Sequence, residues 1–172
     1  RPGDTVFKKY FLSACDAFIT MSDKVMNDLH SFVPNHPKIQ VQHPLYDNFG
    51  KIISKEEARK QLNIGVDEKI ILFFGFIRKY KGLDILISAL KLLKDKMQLQ
   101  EKKIPKLLIA GEFYEKDTAY LEQIERLGLK ENILLHTEFI ADEQVKNYLC
   151  AADLVVQPYR NATQSGVTPL AY

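Results

Sequence analysis

The run Ile70-Ile71-Leu72-Phe73-Phe74-Gly75-Phe76-Ile77-Arg78-Lys79-Tyr80-Lys81-Gly82-Leu83-Asp84 decides the fold. Its first five residues are apolar, too few for a helix and enough for a buried strand, and Gly75 closes them. Past Gly82, apolar residues return at helical spacing: Leu83, Leu86, Ile87, Leu90 and Leu93 share one face. Strand, glycine turn and helix together open a βαβ unit. The same alternation continues downstream. Leu107 to Ala110, Ile133 to Leu135 and Leu154 to Gln157 read as further strands, and between them Tyr120, Ile124 and Leu127, then Val145, Tyr148, Leu149 and Ala152, mark helix faces. Helix-length connections between buried strands predict a parallel sheet covered on both sides, a doubly wound α/β domain.

Upstream the pattern changes. Ala17 to Thr20 reads as a strand, Ser22 as the cap of a helix with Val25, Met26, Leu29 and Phe32 inward, and Ile39 to Gln42 as a second strand. The stretch His43-Pro44-Leu45-Tyr46-Asp47-Asn48-Phe49-Gly50 has the composition of a connector, and Ser54-Lys55-Glu56-Glu57 is a capping box that opens a new helix. We therefore divide the chain near residue 45. Forty-odd residues with two short strands bury too little surface to stand alone, so 1–45 reads as the tail of a preceding α/β domain and 46–172 as a second domain. The chain opens Arg-Pro-Gly without an initiator Met and stops at Leu170-Ala171-Tyr172, where a helix pattern begins; we expect a fold incomplete at both ends.

Composition narrows the field. The 172 residues carry 24 Lys+Arg against 22 Asp+Glu, a formal net charge of +2, with 46% hydrophobic and 27% charged residues, which excludes a disordered chain. Both signs of charge are scattered, so no nucleic-acid surface is expected. The uncharged apolar run from Ile70 to Ile77 is far shorter than the roughly 20 residues of a membrane helix. Cys15 and Cys150 lie far apart in apolar surroundings and fit a reducing compartment better than a disulfide.

In an open parallel sheet, ligands bind beyond the carboxyl ends of the strands. After the first strand come Gly75, Arg78, Lys79, Lys81 and Gly82 at a helix start, where cations, free amides and the helix dipole favour an anion. A solvated loop would use the same residue types. After the fourth strand, Pro158-Tyr159-Arg160-Asn161-Ala162-Thr163-Gln164-Ser165-Gly166-Val167-Thr168 ends small and polar ahead of a predicted helix, a second anion site or an ordinary N-cap at Thr163 or Ser165. Two such places on one sheet edge suit a diphosphate. No two of the eight glycines are two apart, no two aspartates lie within two positions, and His30, His36, His43 and His136 lack zinc-ligand spacing. Dinucleotide and Walker loops, a D-x-D metal site and a zinc site are thereby excluded by spacing, and we expect no metal and no cofactor.

Taken in order, these segments resemble the carboxyl-terminal, donor-binding half of GT-B glycosyltransferases of the retaining family 4, or group 1. The resemblance rests on Ile71 to Asp84, Leu107-Leu108-Ile109-Ala110-Gly111-Glu112, Ile133 to Ile140, Tyr148 to Tyr159 and Gln164-Ser165-Gly166, and it covers most of residues 45 to 172. It implies a Rossmann-like donor domain in a metal-independent hexosyltransferase. Such an enzyme moves a sugar from a nucleoside-diphosphate sugar to a glycan or lipid-linked acceptor, in polysaccharide biosynthesis. By the same resemblance Lys81 pairs with the diphosphate, Glu138, Phe139 and Ile140 hold the nucleotide base, and Gly111-Glu112 lines the nucleotide cleft. Gly75 serves the turn, and Tyr159 with Thr163, Gln164, Ser165, Gly166 and Val167 approaches sugar and diphosphate. The family's usual Arg directly after the first Gly is Phe76 here, with Arg78 two residues on as its substitute. Its E-x7-E pair falls on Thr163 and Ala171, which leaves backbone amides at Ser165 to Val167 to hold the diphosphate. Catalytic and acceptor groups are expected in the preceding domain, so this chain alone should not turn over. The resemblance further implies a cytoplasmic protein, with peripheral association at the inner face of the cell membrane allowed. A GT-B-like binding module that has lost transfer is the alternative, motivated by Thr163 and Ala171. A signalling receiver would need clustered acids after the first strand, where this chain has cations.

Overall fold

The computed structural model describes residues 2–42, 48–162 and 165–171. In chain order the elements are α1 (Pro2–Ser13), β1 (Phe18–Thr20), α2 (Asp23–Phe32), β2 (Lys38–Gln40), α3 (Lys55–Gln61), β3 (Ile70–Phe74), α4 (Leu83–Leu99), β4 (Lys106–Ala110), α5 (Thr118–Arg126), β5 (Ile133–His136), α6 (Asp142–Ala151) and β6 (Leu154–Val155). They fall into two units. One takes the described residues of 1–45 with those of 163–169; the other takes those of 46–162 with 170–172. The connector sequence at His43, Pro44, Leu45, Tyr46 and Asp47 lies outside the described residues.

In the smaller unit β1 and β2 pair in parallel, Phe18 opposite Lys38 and Thr20 opposite Gln40. The Ser22 hydroxyl accepts a hydrogen bond from the Val25 amide and caps α2, which satisfies one of its free N–H groups. Leu29 and Val33 are buried, yet Phe7, Tyr10 and Ile19 stay more than two-thirds exposed. So small a set of elements has too little surface to cover its own apolar side chains.

The larger unit carries a four-stranded parallel sheet in the order β5-β4-β3-β6. The chain starts at β3, steps outward to β4 and β5, then returns to lay β6 on the free side of β3. Alternation along the strands divides the core. Phe73, Leu107 and Ile109 pack with Leu83, Ile87 and Leu90 of α4 and Ile124 of α5; Ile70, Leu72, Leu108 and Ala110 pack with Tyr148 of α6. Helices on both faces are thus demanded by strands such as β3, apolar at every position, and β4, apolar from Leu107 to Ala110. β6 is shorter than the sequence implies, ending as a strand at Val155, though the Val156 amide still donates to the Leu72 carbonyl at 2.9 Å. The segment that follows turns away to meet Gly82.

Asp153 locks the base of this sheet. Its carboxylate pairs with Lys55 and with the buried Arg59, both at 2.9 Å, and accepts the Ile70 amide at 2.8 Å. Arg59 in turn donates to the carbonyls of Ala151 and Val66. One acid therefore ties α3, the start of β3 and the end of α6. Burial pushes its pKa up, but the Ile70 amide and the two cations outweigh that and bring it down to about 2.

Candidate functional site

β3 and β6 are neighbours whose onward connections diverge, so the crevice beyond their carboxyl ends is the sheet's switch point. Two glycines shape it. Gly82 sits left-handed at φ 74°, and a Cβ there would come within 2.1 Å of the Pro158 carbonyl oxygen, so the segment after β6 lies directly on the start of α4. One strand over, Gly111 at φ 130° faces the Gly75 backbone, whose oxygen would stand 2.6 Å from any Cβ. Gly75 itself is at φ 88°. Beyond it the pairing of β3 with β4 resumes, as the Ile77 amide donates to the Glu112 carbonyl at 2.8 Å and Ile77 bridges to Phe113.

At this end of the sheet the 3-10 turn Lys79–Lys81 carries Lys81. It is 8% exposed, and among the described residues no carboxylate lies within ion-pairing distance of its ammonium. Tyr159 is an aromatic neighbour, the ammonium standing 5.9 Å from the ring centre. Burial first, and the charge of Arg78 second, lower its pKa below the ordinary lysine value. A buried cation beside a second cation is unfavourable until an anion arrives. Arg78 is held on the other side, its guanidinium 4.0 Å above the Tyr114 ring. A cleft of about 490 Å³ opens there between Arg78, Tyr80, Tyr114 and Arg160.

The most extensive contacts of the site involve a residue that sequence patterns do not single out. Arg160 donates through Nη1 and Nη2 to the two carboxylate oxygens of Asp84, at 2.8 and 2.5 Å, and through Nη1 to the Lys79 carbonyl at 2.9 Å. Its amide donates to the Tyr80 carbonyl at 2.8 Å. Hydrogen bonding to Arg160 first, and then its charge, hold the Asp84 carboxyl below the usual range against the pull of burial. The only local signal was an acid in the first helical turn, which the helix dipole already explains. A partner 76 residues away leaves no trace in periodicity or spacing.

A second cleft, of about 390 Å³, lies beyond β5 between His136, Thr137, Glu138, Phe139, Ile140 and Tyr148. His136 Nδ1 is 3.2 Å from the Tyr148 hydroxyl, and burial lowers the histidine pKa. Phe139 is 72% exposed at its mouth, whereas Ile140 packs on the core below. Two strand spacings, roughly 10 Å, separate this cleft from the β3 crevice.

The structure thus brings Gly75, Phe76, Arg78, Lys81, Glu112 and Tyr159 to neighbouring strand ends, with Phe139 and Ile140 two strands away on the same edge. Phe76 is 55% exposed, pointing away from the core that takes Ile77. Thr163 and Gln164 lie outside the described residues. Ser165, Gly166 and Val167 belong to the smaller unit. The helix expected to begin after Ser165 is not formed there: residues 165–171 are bends and turns, with the Ser165 hydroxyl accepting from the Val167 amide at 3.2 Å. Pro169 supplies the reason, since it disfavours helical geometry at Thr168 before it. Among the described residues no cluster of three or more His, Cys, Asp or Glu side chains could hold a metal, and no helix is long and apolar enough to cross a membrane.

Residues 54–170 match the model of the family described as glycosyl transferases group 1. The chain belongs to that family. An uncharacterized glycosyltransferase of Methanocaldococcus jannaschii is 29% identical over 155 residues, which is 90% of this group 1 chain and 35% of the relative. The chain therefore spans about a third of that curated relative's length. Among solved structures, sucrose-phosphate synthase of Thermosynechococcus elongatus superposes with a TM-score of 0.75 at 20% identity, over 97% of this chain and 41% of that one. HepE of Anabaena, in complex with UDP and glucose, superposes with a TM-score of 0.70 at 19% identity, over 90% of this chain and 41% of that one. At such identities the likeness is one of fold, the α/β fold with parallel sheets shared by GT-B glycosyltransferases.

Proposed function

We propose that this chain is the carboxyl-terminal, donor-binding part of a retaining family 4 glycosyltransferase, and that it holds a nucleoside-diphosphate sugar without a metal ion. The observation that carries the reading is Lys81, a buried ammonium with no carboxylate partner among the described residues, at the switch point of a parallel sheet. A diphosphate supplies the missing anion. Arg78 adds a second positive charge beside it, which stabilises the same group as it leaves in the transfer step. The cleft of His136, Phe139 and Ile140 lies a nucleotide's reach away and takes the base, as the complex of HepE with UDP and glucose supports for a protein of this fold. Acceptor and catalytic groups are assigned to a preceding domain, with a glycan or lipid-linked acceptor. The smaller unit, with its uncovered apolar residues, is the tail of that domain.

The test is calorimetric binding of UDP, GDP and ADP in the presence of EDTA. One nucleotide should bind to wild type, and Lys81→Ala should weaken it by about ten- to a hundredfold, the size of a charged hydrogen bond worth 1.5–3 kcal/mol. Binding that needs added divalent metal, or survives Lys81→Ala unchanged, sinks the reading.

A further inference from the structure

Arg160 is a surface arginine by exposure, 37% accessible at its side chain, and its partner Asp84 is 38% accessible. A surface ion pair of that kind contributes little to stability by itself. Its placement gives it another consequence. Among the described residues its hydrogen bonds join the segment after β6 to the residues on either side of Lys81: the Lys79 and Tyr80 carbonyls before it and the Asp84 carboxylate after it. The two segments also touch at Gly82 and Pro158, and at the edge-on pair Tyr80 and Tyr159. Tyr159, whose ring neighbours the Lys81 ammonium, precedes Arg160 directly.

We propose that Arg160 is a positioning residue for the anion site: its fork on Asp84 and Lys79 clamps the 79–84 turn and keeps Lys81 buried in its place on that turn. The idea rests on the reading of Lys81 as the diphosphate ligand. It differs from a direct role for Arg160, whose fork is directed at protein oxygens on this turn. A bidentate fork is needed for this, because lysine offers a point charge that cannot span two carboxylate oxygens and a carbonyl at once.

Two readouts test it. The first is the affinity of the nucleoside diphosphate that binds wild type, measured for Asp84→Asn, Arg160→Lys, Arg160→Gln and the double variant Asp84→Asn/Arg160→Gln. Each single change should weaken binding about tenfold, and the double should be no worse than the weaker single, while the thermal midpoints of the unliganded variants stay near wild type. The second is competitive acetylation of lysines read by mass spectrometry without ligand. Lys81 should react slowly in wild type and several-fold faster in each variant, with the exposed Lys96 as an unchanged control. If Asp84→Asn leaves binding unchanged or tighter while Arg160→Gln weakens it, Arg160 is a direct phosphate ligand and the proposal falls. Unchanged affinity and unchanged Lys81 labelling in all variants also overturn it. Should wild type bind no nucleotide, the donor reading fails, and the acetylation series still decides the clamp.

Discussion

Lys81 sets binding against stability at a single side chain. Its pKa is lowered in the folded protein, so the unfolded chain holds the proton more tightly. By linkage, unliganded stability then rises with pH from the lowered value up to the ordinary lysine value, and below that window the protonated residue is a cost. Lys81→Met should therefore raise the thermal midpoint of the unliganded protein while removing nucleotide affinity; a fall in midpoint would mean that the ammonium has a favourable partner. Nucleotide affinity itself should decline on the alkaline side at a lower pH than an ordinary lysine would impose. Gly82 is the second such residue. An alanine there costs about 1–2 kcal/mol for the left-handed backbone alone, before Pro158 is displaced. Gly82→Ala should lower the midpoint by at least roughly 4 °C and weaken nucleotide binding together, which a calorimetric scan with and without ligand would read. Of these two, Lys81 is legible in the sequence as a cation at a strand end. The need for glycine at 82 is not, because it comes from a carbonyl contributed 76 positions later.

Among the elements, strands β3, β4 and β5 and the faces of α4, α5 and α6 are all readable from apolar spacing, since each is buried against the sheet and has to repeat at its own period. What spacing misses is the polar fastening between elements. Asp153 stands next to apolar Leu154 and has no local motif, yet it joins α3, β3 and α6. With its folded pKa at about 2 against an ordinary value of 3.8, it contributes stability, about 1–2 kcal/mol once solvent screening of this partly exposed carboxylate is counted, that is present above pH 4 and lost as pH falls toward 2. Asp153→Asn should remove that part of the acid transition. At neutral pH it should also cost about 2–3 kcal/mol, because Arg59, 4% exposed, loses its only carboxylate among the described residues. Urea titrations at pH 7 and pH 3 check both statements: the gap between variant and wild type should be wider at pH 7 than at pH 3, where close to half of the linkage contribution remains. An equal gap at the two pH values would assign the loss to packing.

For the whole molecule, the two units predict unequal resistance to opening. The larger one has two apolar clusters, one on each face of a sheet whose central strands are mostly buried. The smaller one has two three-residue strands and few buried side chains, with Phe7, Tyr10 and Ile19 in water. Opening free energy follows buried apolar contact, so amides of β3 and β4 should exchange only by the rarest opening, while those of β1 and β2 exchange faster by about tenfold for each 1.4 kcal/mol of difference. The family match itself begins at residue 54 and takes in only the larger part of the chain. Hydrogen exchange read by mass spectrometry, with and without the bound nucleoside diphosphate, separates the alternatives. Slowing confined to the segments after β3, β5 and β6 would place the ligand within the larger unit. Slowing that extends to β1 and β2 would mean that ligand binding is coupled to the order of the smaller unit, and equal protection of all four strands in the free protein would show one cooperative body where the packing predicts two.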